Sequence, residues 1–224
     1  MCGNMELGFT REKIARFQER ILKWYLVDGR RFPWRDESAS DYMIILAELL
    51  LQRTKAETVS KYYYDFLKKY PSWEDIKNAD KEELSSLLRP FGLINRRTIT
   101  LKLLAAEMVK RKGDISRERN ELELLPGIGQ YIANAILLFC HGEPHPLLDT
   151  NMARVLERVF GKRKLADIRY DPYLQSLSYE VIKCDKPKEI NWAILDLAAL
   201  ICTIKIPKCF ICPVYNLCNY ADSL

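Results

Sequence analysis

The chain has 224 residues, a formal net charge of +5, and a composition that is 48% hydrophobic and 29% charged. That length fits one large domain or two small lobes, and the composition excludes disordered and fibrous classes. The longest apolar stretch, Met43 to Leu51, is too short to span a bilayer and holds a glutamate. No signal-peptide pattern opens the chain, so a soluble cytoplasmic protein is expected.

In chain order, Ile14, Phe17, Ile21 and Tyr25 recur at helical spacing. Asp41 is the expected cap of a helix running through Met43 to Leu51 and on towards Tyr64. Asp80 with Glu83 predicts a capping box ahead of Leu84, Leu87 and Leu88. A helix is expected over 97–112, closed by Gly113. Another ends at Pro126, and its successor starts near Gln130. Helices over 151–160, 173–183 and 189–202 complete the pattern, the first stopped by Gly161. No alternating strand pattern interrupts it, so the predicted fold class is all-α with Gly- and Pro-punctuated turns.

Leu125-Pro126-Gly127-Ile128-Gly129 sits between two of these helices. Its glycines let backbone N–H groups approach an anion, and Ile128 is an inward anchor. The helix opened by Gln130 presents its positive end. This grips a DNA backbone without reading sequence; the bland alternative is a plain helix–helix turn. Arg154, Arg158, Lys162, Arg163 and Lys164 crowd the later helix, as a phosphate-contacting surface or as a solvated face.

Two carboxylates sit in contrasting surroundings. Glu48 lies in Met-Ile-Ile-Leu-Ala-Glu-Leu-Leu-Leu. Burial there disfavours its ionised form and suits a general acid, unless the side chain reaches a helix edge. Asp149 directly precedes a helix. It is an expected N-cap, a position that also keeps a carboxylate ionised and able to stabilise an oxocarbenium-like sugar.

Four of the seven cysteines form a C-x6-C-x2-C-x5-C pattern: Cys202, Cys209, Cys212 and Cys218. From spacing, iron–sulfur, zinc and disulfide readings all remain open. Cys2, Cys140 and Cys184 are isolated and read as small apolar residues. His141 and His145 flank a turn and read as loop histidines.

Leu125-Pro126-Gly127-Ile128-Gly129, Asp149 twenty residues later, and the cysteine tail together resemble the endonuclease III/MutY superfamily of helix–hairpin–helix DNA glycosylases. The resemblance runs from about Phe17 to Cys218. It implies a six-helix barrel with the hairpin over 31–139. It also implies a second lobe, from 1–30 and 140–224, holding a 4Fe-4S cluster on Cys202, Cys209, Cys212 and Cys218. The expected partner is double-stranded DNA with a mismatched or damaged base, extruded into a cleft between the lobes and met by a monomeric enzyme. It further implies catalytic roles for Glu48 and Asp149, a base-pocket role for Tyr131, and DNA contacts from Gln52, Pro126, Gly127, Gly129, Gln130 and Arg154.

Trp24-Tyr25, Arg31-Phe32-Pro33-Trp34-Arg35 and Ala47-Glu48-Leu49-Leu50-Leu51-Gln52-Arg53-Thr54 resemble two branches of that superfamily. One excises adenine; the other is thermophilic and excises mismatched thymine. Lyase members carry a lysine where this chain has Tyr131, so hydrolysis without a Schiff base is expected. Phe91-Gly92-Leu93-Ile94-Asn95-Arg96-Arg97 looks more like the thymine branch. The chain also ends six residues after Cys218, where adenine enzymes usually continue into a further domain. Thymine or uracil opposite guanine is the favoured substrate, with adenine opposite guanine or 8-oxoguanine as the alternative. A binding-only DNA module and a zinc-binding helical regulator remain rivals of other classes.

Overall fold

The computed structural model describes residues 10–224, so Cys2 lies outside the described residues. Among the described residues there are eleven α-helices and no strand. They are α1 (Arg11–Asp28), α2 (Asp41–Leu51), α3 (Ala56–Lys69), α4 (Trp73–Asn78), α5 (Lys81–Leu88), α6 (Ile94–Lys110), α7 (Arg119–Glu123), α8 (Gln130–Phe139), α9 (Thr150–Phe160), α10 (Pro172–Ile182) and α11 (Pro187–Leu200). No helix is long and apolar enough to cross a membrane.

The chain divides into two compact units. One is continuous, Arg31–Glu143; the other is split, Met1–Arg30 with Pro144–Leu224. In the continuous unit, α2 and α8 are buried almost all round: Ile44 to Leu50 in the first, Ile132 to Phe139 in the second. A helix apolar on every side belongs at a centre, and these two pack on each other. Tyr63, Phe66, Ile76, Leu84, Leu88, Leu104 and Met108, from α3 to α6, enclose them. In the split unit, α9 buries Met152, Val155, Leu156, Val159 and Phe160 along one stripe, and packs on α10 and α11. Helix α1 lays Ile14, Phe17, Ile21 and Tyr25 inward and packs on α11. Beyond α11 the chain continues in 3-10 turns at Cys209–Ile211, Tyr215–Leu217 and Ala221–Ser223.

Several boundaries differ from the sequence reading. Ser40, not Asp41, caps α2, its hydroxyl accepting from the Met43 N–H. That helix stops at Leu51 instead of running on to Tyr64, because Arg53 takes a left-handed turn at φ 56°. Helix α6 begins at Ile94, three residues early, after a left-handed Leu93. Helix α4, capped by Ser72, was not expected. Asp80 caps α5 as predicted, accepting from the Glu83 N–H at 2.9 Å.

Candidate nucleic-acid interface and cysteine centre

The hairpin lies between α7 and α8. Ile128 is 5% exposed and anchors it, while Gly127 and Gly129 face solvent. The two glycines are there for different reasons. Gly127 has φ 81°, and a Cβ added to it lands 2.3 Å from Thr100 Cγ2 and 3.3 Å from Leu49 Cδ2. The fold itself requires glycine there. Gly129 has extended backbone, and its Cβ meets nothing within 4 Å. Among the described residues, nothing demands glycine at 129. Gly129 is also the N-cap of α8 and gives no side-chain cap, and the positive end of that helix favours an anion. Gln130 and Tyr131 follow in that turn, both half-buried.

The end of α2 meets this hairpin directly. Gln52 is exposed, and its amide donates to the Gly127 carbonyl at 3.2 Å. Glu48, one turn earlier on α2, is 6% exposed and flanked by buried Ala47 and Leu49. Its presence is felt at Tyr63, whose phenol is pushed above its usual range by burial and by the neighbouring Tyr42, Tyr64 and Glu48.

A residue that sequence reasoning passed over organises this corner. Arg97 is 5% exposed. It donates to the carbonyls of Leu49, Gln52 (3.0 Å), Phe91 (3.3 Å) and Gly92 (3.3 Å), and to Thr54 Oγ1 (3.3 Å). A buried guanidinium thus takes up carbonyls that α2 leaves open at its C-terminal end, where positive charge is favoured. Burial pulls its pKa below the usual range. It also bridges two strained turns, one at Arg53 and one at Leu93 (φ 50°), both exposed. The signal available in the sequence was an arginine at a helix position that the apolar periodicity assigns to the core.

In the split unit, Asp149 caps α9 as predicted. Its Oδ1 accepts from the N–H groups of Asn151 and Met152, both at 2.8 Å, and its Oδ2 accepts from the Asn151 amide at 2.7 Å. The Asn151 side-chain Oδ1 accepts from Arg154 at 3.1 Å. Arg154 also donates to the carbonyls of Cys202 (2.9 Å) and Ala198 (3.0 Å). A continuous line of hydrogen bonds therefore joins Asp149 to the first cysteine. Arg154, expected at a phosphate, spends its guanidinium inward on this line. Arg158 donates to Cys202 Sγ at 3.2 Å and to the Thr203 carbonyl at 2.7 Å, stacked on Tyr220. Arg163 pairs with Glu157 at 2.8 Å. Of the five crowded basic residues, Lys162 and Lys164 face solvent.

Cys202, Cys209, Cys212 and Cys218 form no disulfide among the described residues. All four line one pocket, together with Arg158, Tyr215 and Tyr220. Burial pushes the Cys212 thiol up to about 11, with Cys202, Cys218 and Cys209 adding to the effect. Four thiolates cannot share that space without a compensating cation. Among the described residues, no group of three His, Cys, Asp or Glu side chains is gathered tightly enough to hold one metal ion. His141 contacts the Ser116 carbonyl at 3.1 Å, and His145 the Tyr179 hydroxyl at 3.2 Å, so both serve loop structure as expected.

Residues 46–170 match the HhH-GPD superfamily of base excision DNA repair proteins. The chain belongs to that superfamily. Within it, the chain is 39% identical to a thymine/uracil-DNA glycosylase of Pyrobaculum aerophilum, over 90% of each chain. It is 31% identical to the human adenine DNA glycosylase, over 92% of this chain and 40% of that one. Among solved structures, a thermostable thymine-DNA glycosylase superposes with a TM-score of 0.87 at 32% identity, covering 95% of this chain and 98% of that one. An endonuclease III–DNA complex shares the superfamily fold at 22% identity, with a TM-score of 0.81.

Proposed function

We propose that this superfamily member hydrolyses the N-glycosidic bond of thymine or uracil opposite guanine in double-stranded DNA, as a monomer. One observation carries the choice of base: over nine-tenths of this chain, identity to a thymine/uracil-DNA glycosylase is 39%, against 31% to the human adenine enzyme.

In this reading Gly127, Gly129 and the first turn of α8 take a phosphate, with Pro126 and Gln130 shaping the turn. Gln52 and the exposed Leu93 fill the space left by the extruded nucleotide. Buried Glu48 holds a proton for the departing base or orients water. Asp149 stabilises the positive charge that develops on the sugar. Tyr131 lines the base pocket and offers a phenol where a Schiff base needs an amine, so the enzyme is monofunctional. Arg154 acts on DNA through Asn151 and Asp149 instead of touching a phosphate. Cys202, Cys209, Cys212 and Cys218 hold a 4Fe-4S cluster, which orders the C-terminal loop and presents positive charge to DNA.

The test is a strand-cleavage panel of T, U, A and damaged bases opposite each base, with alkali revealing abasic sites. Product from T and U opposite G, and none without alkali, is expected. Preferential release of adenine overturns the substrate assignment, and efficient borohydride trapping on DNA overturns the monofunctional one.

A further inference from the structure

Helix α11 reaches the Asp149 segment from two sides. On one side runs the line from the Ala198 and Cys202 carbonyls through Arg154 and Asn151. On the other stands Asn191, in the second turn of α11 and 0% exposed. Residues 142–148 lie in neither helix nor strand, yet Pro146 and Leu147 are buried. Buried backbone without a ladder of its own must find partners elsewhere. Asn191 supplies both kinds. Its Oδ1 accepts from the Leu147 N–H at 2.8 Å, and its Nδ2 donates to the His145 carbonyl at 3.2 Å. Its Nδ2 also donates to the Pro187 carbonyl at 2.8 Å, which ties the amide to its own helix. One N–H and two carbonyls fix which way the amide points. The Leu147 carbonyl accepts in turn from the Asp149 N–H at 3.0 Å. Two hydrogen bonds therefore lead from a buried amide to the backbone of Asp149, and neither involves the cysteine segment.

We infer that Asn191 is a positioning residue for base excision: it holds Leu147, and through it Asp149, where the developing sugar cation needs a counter-charge. This rests on the role proposed for Asp149. The helix cap turns the carboxylate, because the Asn151 and Met152 N–H groups bind its Oδ1. The cap does not fix where the turn as a whole lies, since Asp149 is entered from an irregular segment. Asn191 does that from the core. An alanine at 191 leaves the buried Leu147 N–H without this acceptor, and the segment relaxes to find another. A displacement of about 1 Å in a group that meets the reacting centre is enough to cost about 100-fold in rate.

The experiment is a double-mutant cycle on protein purified without oxygen. It measures single-turnover excision of T opposite G for the wild type, Asn191→Ala, Asp149→Asn and the double variant, with iron content and affinity for an abasic-site duplex on the same preparations. Asn191→Ala is expected to slow excision about 10- to 100-fold while iron content stays that of the wild type and duplex affinity changes little. In the Asp149→Asn background the same substitution is expected to cost no more than about twofold, because a residue that acts through Asp149 has nothing left to position. Asn191→Ser, which retains one hydrogen-bonding group, is the variant to read if alanine does not fold; it is expected to show the same dependence on Asp149 with a smaller loss. An equal loss in both backgrounds overturns the inference and marks a role in the fold alone. So does a wild-type rate in Asn191→Ala, or a rate loss that comes with lost iron, which routes the effect through the cysteine segment. An Asp149→Asn variant as fast as wild type defeats the reading of Asp149 itself, and is seen in that single variant, so the two failures are distinguishable.

Discussion

At the residue scale, the two carboxylates make opposite demands on a variant. Asparagine caps a helix about as well as aspartate. Asp149→Asn is therefore expected to leave thermal stability nearly unchanged, while single-turnover excision falls about 10²- to 10³-fold because the developing sugar cation loses its counter-charge. Unfolding curves and rates on the same preparation check the split; a rate within a few-fold of wild type removes Asp149 from the mechanism. Glu48→Gln conserves shape in a position 6% exposed, so the fold persists and the rate drops about 10²- to 10⁴-fold. Both carboxylates were legible in the sequence, one as a charge in an apolar run and one as a cap before a helix. Arg97 was not, because its partners Leu49, Gln52 and Thr54 lie more than 40 positions away. Its core-facing position on α6 sets it apart from exposed Arg96, but nothing local names the carbonyls it meets.

At the element scale, the hairpin separates folding from binding. Gly127→Ala forces a left-handed alanine against Thr100, and is expected to lower the unfolding free energy by about 3 kcal/mol. Gly129→Ala meets open space, so denaturant midpoints stay put while affinity for an abasic-site duplex weakens several-fold. Equal stability losses in the two variants contradict this division.

Asp171 gives a second element-scale expectation. It is fully buried and caps α10. It also accepts from the N–H groups of Lys164 (2.9 Å), Leu165 (2.8 Å) and Leu174 (2.8 Å). Burial alone raises its pKa, but these donors and Arg163 outweigh burial and leave it lowered. Its stabilisation is therefore complete above the unfolded value of about 3.9 and is lost as pH falls through the lower folded value. Urea midpoints for Asp171→Asn are expected to fall well below wild type at pH 7 and to converge with it towards pH 2. Caps and stops set by neighbours, such as Asp80 and Gly161, could be read from sequence. The break after Leu51 could not, since Arg97 and a left-handed Arg53 impose it from outside the local pattern.

At the scale of the whole molecule, the cysteine cavity ties the chain's last segment to α9 and α11. Protein purified without oxygen is expected to be brown, with a broad visible absorption band and about four iron atoms per chain. Cys212→Ser is expected to lose both iron and thermal stability, because metal binding to the folded state alone stabilises it. A colourless preparation containing zinc refutes the cluster.

The order in which the two units are strung has a consequence for biosynthesis. Arg31–Glu143 is unbroken, whereas its companion needs α1 from one side of it and α9 to α11 from the other. A ribosome therefore releases the whole continuous unit while most of the second core is still unmade, and α1 must wait, its apolar stripe uncovered, for more than 100 residues of synthesis. Arrested nascent chains ending shortly beyond the tunnel past Glu143 should resist protease across the continuous unit and be cut within α1. Protection of α1 should arrive only once α11 has emerged.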